Sequence, residues 1–125
     1  MATILTIDDD ATMQHVIAMV LKREGYDVYA ASNAKEAFEC LDKVKCDMVL
    51  VDMMLPNTSG LEIISQIKQQ WPFDTPAIIV VSALGHEKNV QDSFDLGADD
   101  FLRKPFSTSE LVCRVARLLQ RVAHK

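Results

Sequence analysis

The sequence predicts one α/β domain, a three-layer sandwich in which a parallel sheet of five strands has helices on both faces. Three observations carry that prediction. Apolar strand-like runs alternate with helix-period patterns along the whole chain. The three longest runs, Ile4–Ile7, Met48–Val51 and Ala77–Val81, are apolar on both faces, as strands covered from two sides must be. The length, 125 residues, suits one buried core and is too short for two.

Each element has its own signal. After the first strand, Met13, Val16, Ile17, Val20 and Leu21 form a helical stripe that Gly25 can end. A shorter strand candidate, Asp27–Ala31, follows. Asn33 with Glu36 reads as a capping box in front of Ala37, Phe38 and Leu41. After the third strand, Ser59 with Glu62 opens a stripe of Leu61, Ile64, Ile67 and Trp71. The helix after the fourth strand, about Glu87 to Leu96, has the weakest stripe: Val90 and Phe94 are its only large apolar pair before Leu96, and Gly97 closes it. A short strand at Phe101–Leu102 precedes the last helix, opened by Ser107 with Glu110 and carrying Leu111, Val115, Leu118 and Val122. There is no internal repeat, low-complexity tract or linker.

Composition narrows the function. The net charge of −5 argues against direct nucleic-acid binding by this domain. No apolar run approaches the roughly 20 residues of a membrane helix. The opening MATILTIDDD has no basic region before its apolar stretch, so no signal peptide is expected. Cys40, Cys46 and Cys113 are odd in number and lack C-x-x-C spacing, which reads as free buried thiols in a reducing cytoplasm.

The chemistry gathers at the strand ends, where open α/β sheets bind ligands. The first strand ends in Asp8 and Asp9, the third in Asp52 and the fourth in Ser82, and the fifth ends just before Lys104. Each residue alone has an ordinary reading: the aspartates as turn formers or helix caps, Ser82 as a turn hydroxyl, Lys104 as a solvated charge. Asp10 keeps that reading, as a residue favouring the first helix. Converging, the others describe a hard-cation site. Adjacent carboxylates repel each other, and Mg2+, which takes oxygen ligands and retains waters, would neutralise them.

With Asp8-Asp9, the run VDMMLPNTSG around Asp52, VVSA around Ser82 and GADDFLRKPF around Lys104, the chain resembles the receiver domains of two-component response regulators over essentially its whole length. The resemblance implies a flavodoxin-like (βα)5 fold with strand order 2-1-3-4-5. It makes Asp52 the phosphoacceptor and Asp9, Asp52 and the Met54 backbone carbonyl direct ligands of Mg2+, for which Mn2+ can substitute. Asp8 would act through metal-bound water, Lys104 would pair with the phosphoryl group, and Ser82 would be the switch hydroxyl with Ala83 leaving room beside it. The Lys104–Pro105 bond is expected to be cis, and Phe101 stands where such domains carry a switch aromatic. Met54 and Leu84 flank the pocket and are apolar, so a persistent acyl phosphate is expected. The implied partners are a sensor histidine kinase or histidine phosphotransfer protein and a downstream effector or attached output domain, in the cytoplasm. Glu110, Arg114, Arg117 and Arg121 with Asp99 and Asp100 resemble the charged face on which some receivers form homodimers; Val90 and Gln91 depart from it by not being basic.

Three rivals remain open at this point. D-x-D-x-T at Asp8–Thr12 also opens haloacid dehalogenase-like phosphatases, with Asp8 as nucleophile and Asp10 as general acid. That fold needs a longer chain and leaves Asp52 without a role. A receiver that only binds partners would not need the intact acidic and basic set. A flavin-binding domain of similar topology would want a glycine loop for phosphate, not three carboxylates, after the first strand.

Overall fold

The computed structural model describes residues 1–83 and 86–123, with residues 122 and 123 described by their backbone alone. The sheet strands are β1 (Thr3–Ile7), β2 (Asp27–Ala31), β3 (Met48–Val51), β4 (Ala77–Ser82) and β5 (Asp100–Arg103). They alternate with α1 (Ala11–Arg23), α2 (Ala34–Lys43), α3 (Gly60–Gln70), α4 (Glu87–Asp95) and α5 (Thr108–Ala123). All strand pairings in the sheet are parallel, and the spatial order is β2-β1-β3-β4-β5. This is the flavodoxin-like arrangement that the resemblance implied.

The pleat sorts the apolar side chains into two cores. Leu5, Ile7, Val49, Val51, Ile78 and Val80 meet α2 and α3 on one face. Ile4, Met48, Leu50, Ile79, Val81 and Leu102 meet α1 and α5 on the other. Both sides of β3 and β4 are therefore buried, which is why their sequences show no polar alternation. Burial of each large side chain contributes about 1.5–3 kcal/mol.

The helix boundaries follow from local chemistry. Asp10 caps α1 by accepting from the backbone N–H groups of Thr12 and Met13. Gly25, at φ +95°, closes it: the Gly25 N–H reaches the Lys22 carbonyl and the Tyr26 N–H the Leu21 carbonyl. Gly97, at φ +109°, closes α4 in the same way. The predicted capping boxes form only in half. Asn33, Ser59 and Ser107 each accept the expected backbone N–H, but Glu36 turns to the Ser32 N–H and Glu62 to the Thr58 hydroxyl.

Several side chains depart from the sequence reading. Val16 is 37% exposed, because the α1 stripe is narrower than five residues. In α3 the buried side chains are Ile63, Ile64 and Ile67; Leu61 is half-buried and Trp71 stands at the C-cap. In α4 the buried side chain is Ser93, while Phe94 and Leu96 are 42% and 40% exposed. Cys46 is buried, Cys40 half-buried and Cys113 exposed, so the thiols are free as expected but not all interior. Between β3 and α3 the chain makes a small antiparallel hairpin, Met54–Leu55 with Thr58–Ser59, around Pro56 and Asn57. Asn57 takes a left-handed φ of 64° there. Leu84 and the side chain of Val122 lie outside the described residues.

Candidate functional site

Register builds the site. Ile7 is paired with Val51, so the residues that follow them, Asp8 and Asp52, leave neighbouring strands side by side. The ladder runs one step further on each: the Asp8 N–H donates to the Ala31 carbonyl at 3.1 Å and the Asp52 N–H to the Ile7 carbonyl at 3.0 Å. On the other side β4 pairs with β5, and the Lys104 N–H donates to the Ser82 carbonyl at 2.9 Å. Four separate stretches of sequence are thereby fixed by backbone hydrogen bonds to one edge of the sheet.

Asp8 and Asp52 are buried, at 3% and 8% exposure, and Asp9 is exposed beside them. Lys104 reaches across from β5: its Nζ lies 2.8 Å from Asp8 Oδ2 and 3.0 Å from Asp52 Oδ2. Burial alone would lower the lysine pKa, but hydrogen bonds and charge from both carboxylates outweigh it and hold the ammonium above its ordinary value. The remaining carboxylate oxygens are held from the backbone, Asp8 Oδ1 by the Asp10 N–H at 2.9 Å and Asp52 Oδ1 by the Met54 N–H at 3.1 Å. An open depression of about 450 Å³ lies over these groups, walled by Met54, Leu55 and Pro56.

The site suits a divalent cation. Asp8, Asp9 and Asp52 each offer one oxygen, and these oxygens lie within 4.8 Å of one another. Ligands on opposite sides of Mg2+ stand about 4 Å apart, so the set needs little closure. Three carboxylates against the one Lys104 ammonium leave two negative charges among these groups.

The sequence-predicted residues mostly assemble. Asp8, Asp9, Asp52 and Lys104 share one depression, and Ser82, 1% exposed, ends the strand beside Lys104. The Lys104–Pro105 bond is cis. Met54 is 61% exposed at the mouth, and Ala83 is exposed after Ser82. Phe101 is half-buried against the α2–α3 core. Asp10 is engaged in capping α1, the ordinary role expected of it. The residue the sequence reading left without a role is Gly60. A Cβ there would stand 2.4 Å from the Asp52 backbone carbonyl oxygen, so glycine lets α3 press against the strand end that carries Asp52. Its only sequence signal is a glycine directly after the capping Ser59.

Residues 4–116 match the response regulator receiver domain. The chain belongs to this family. Among curated proteins the receiver is 40% identical over 120 residues to the phosphate regulon transcriptional regulatory protein PhoB of Pseudomonas aeruginosa, covering 95% of this chain and 52% of that one. It is 39% identical to the transcriptional regulatory protein ResD of Bacillus subtilis, covering 96% and 49%. The chain thus spans about half the length of these curated relatives. Among solved structures, the receiver domain of Francisella response regulator 1452 superposes with a TM-score of 0.89 at 30% identity, covering 98% of this chain and 99% of that one. A CheY-like receiver domain protein of Methanospirillum hungatei gives 0.90 at 26% identity, covering 97% and 95%. Among the described residues no helix of this receiver is long and apolar enough to cross a membrane.

Proposed function

We propose that this receiver accepts a phosphoryl group on Asp52 from a phosphohistidine of a sensor histidine kinase or a histidine phosphotransfer protein. The observation that carries the reading is the Lys104 ammonium bridging Asp8 and Asp52 at 2.8 and 3.0 Å, at the mouth of an open depression. A carboxylate Oδ of Asp52 attacks phosphorus, the phosphorus–nitrogen bond of the donor breaks, and the imidazole leaves with its electron pair. Asp52 becomes an acyl phosphate. The domain is a signalling phosphoacceptor that assists its own phosphorylation and dephosphorylation, not a turnover enzyme.

Phosphoryl transfer between anions needs positioning and charge neutralisation. Lys104 exchanges its contact with Asp52 for one with the incoming phosphoryl oxygens, a task suited to a compact ammonium. Asp9, Asp52 and the Met54 carbonyl would hold Mg2+ or Mn2+, with Asp8 acting through metal-bound water, and the ion when bound would supply the remaining charge stabilisation. The product adds up to about two negative charges, drawing the Ser82 hydroxyl inward with Ala83 leaving space. Phe101 then repacks and the α4-β5-α5 surface changes, which an effector or attached output domain reads in the cytoplasm. Phe101→Tyr changes this switching modestly; unchanged phosphorylation and partner binding would instead mark Phe101 as a static core residue.

Phosphorylation would also drive a homodimer through α4-β5-α5. Asp100 is already held within the chain, by Arg114 Nη1 at 2.8 Å and Arg117 Nη2 at 3.1 Å, and Arg114 also approaches Glu110 at 3.5 Å. Dimerisation would have to share or exchange these pairs.

The chemical test is incubation with acetyl phosphate and Mg2+, followed by hydroxylamine. A label that requires the metal and is released by hydroxylamine is an acyl phosphate. With apolar Met54 at the mouth, it should persist for minutes or longer after the donor is removed. A hydroxylamine-resistant label, or none, contradicts the assignment.

A further inference from the structure

Where α2 ends and the chain turns into β3, two thiols come together. Cys40 is half-buried and Cys46 buried, both are free, and both pack into the core between the sheet and α2. Five residues separate them in sequence, but the chain doubles back between them. The Val44 N–H donates to the Cys40 carbonyl at 2.8 Å and ends the helix, and the Cys46 sulfur turns back to the Val44 carbonyl at 3.7 Å. The two thiols thereby lie within hydrogen-bonding reach of each other. Cys46 also lines a surface depression of about 200 Å³ beside Trp71, which gives a small molecule a route to the pair.

The two sulfurs are not equivalent. Burial raises both pKa values, that of Cys46 to about 12 with the pairing and the Asp47 charge adding to it. The hydrogen bond between them acts in opposite directions: it favours the thiolate of Cys40 and the thiol of Cys46. Cys46 is thus the donor and Cys40 the acceptor. Cys40 is also the more exposed of the two. The thiolate is the attacking form of cysteine, so Cys40 is placed to react first with Cys46 still protonated beside it.

We propose that Cys40 and Cys46 form a reversible disulfide in response to a hydroperoxide, Cys40 attacking the oxidant and Cys46 resolving the product. The Cys40 thiolate attacks a peroxide oxygen; the S–O bond forms, the O–O bond breaks, and the second oxygen leaves as water or alcohol with the proton that Cys40 gave up. The Cys46 sulfur then attacks the Cys40 sulfur; the S–S bond forms, the S–O bond breaks, and the hydroxide leaves as water with the Cys46 proton. The thiols lose two electrons and the peroxide gains them. A dithiol reductant reverses the bond by exchange. The bond ties the end of α2 to the start of β3, whereas Asp52 follows the other end of that strand.

The test treats the whole chain, carrying Cys113→Ser to prevent pairing between copies, with hydrogen peroxide. The intact mass should fall by two hydrogens and return with dithiothreitol. Trypsin cuts after Lys43 and Lys45, so an unreduced digest should show the Cys40 and Cys46 peptides joined. With Cys46→Ala added, dimedone should trap a sulfenic acid on Cys40. With Cys40→Ala added instead, Cys46 should stay a free thiol under the same peroxide. Two thiols that both stay free, oxygen added to the pair without loss of its hydrogens, or dimedone captured by Cys46 in place of Cys40 would each overturn the proposal.

Discussion

Lys104 is the one cation bonded to Asp8 and Asp52 among the described residues. Replacing it with methionine leaves Asp8 and Asp52 facing each other without a counter-charge. In metal-free buffer, Lys104→Met should lower stability by about 1–3 kcal/mol, less than for a fully buried pair because Lys104 keeps some solvent contact. Urea denaturation measures it, and added Mg2+ should recover part of the loss. Gly60→Ala tests a steric demand instead. Its methyl group would stand 2.4 Å from the Asp52 carbonyl oxygen, so the variant should lose about 1–3 kcal/mol or more and label more slowly at Asp52. These residues were not equally legible. Asp8, Asp52 and Lys104 could be read because each directly ends or follows a recognisable strand, and strand ends meet at one edge. Gly60 could not, since its constraint is a backbone approach that exists only after folding.

At the scale of elements, α4 stands apart. Ser93 is its buried side chain, the hydroxyl donates to the Asn89 carbonyl at 2.9 Å, and it lies 4.0 Å from the Met53 sulfur. With so little apolar burial, α4 amides should exchange with solvent faster than those of α1 and α3, which bury Ile17, Val20 and Leu21, and Ile63, Ile64 and Ile67. Hydrogen exchange read by mass spectrometry checks this; equal protection in α4 would remove the case for a movable output helix. For α2, Asn33→Ala removes the bond from the Glu36 N–H and should cost about 1 kcal/mol. The sparse stripe of α4 was visible in the sequence, but periodicity favoured Val90 and Phe94 as its inward pair. The helix instead turns its serine inward, and no pattern of apolar residues reports that. The hairpin before α3 was missed for a related reason: two-residue strands are too short to show alternation, and Pro56–Asn57 was its only sign.

For the whole molecule, groups that burial or carboxylate partners hold above their ordinary pKa set the alkaline limit, the half-buried Cys40 thiol among them. Burial pushes the Cys46 thiol from its ordinary value of 9.0 up to about 12, and the Lys104 ammonium is held above its ordinary value by Asp8 and Asp52. In each case the unfolded chain loses its proton first. Their stabilising contributions are therefore complete below the unfolded pKa and decline as pH rises toward the folded one. Metal-free stability should fall from about pH 9 upward, and less steeply in Cys46→Ala. Thiol reagents should modify exposed Cys113 first and Cys46 last. The fold was legible at this scale because both-face burial leaves a pattern in every central strand, whereas the internal clamp of Asp100 by Arg114 and Arg117 was read as an open charged surface. Asp52 is the proposed phosphoacceptor on which the other roles depend. Intact-mass spectrometry after acetyl phosphate and Mg2+, on wild type, Asp52→Asn and Asp8→Asn, addresses that claim directly. One added phosphoryl group on wild type and none on Asp52→Asn is the predicted result. Labelling that survives in Asp52→Asn and vanishes in Asp8→Asn would contradict it and place the nucleophile at the end of β1.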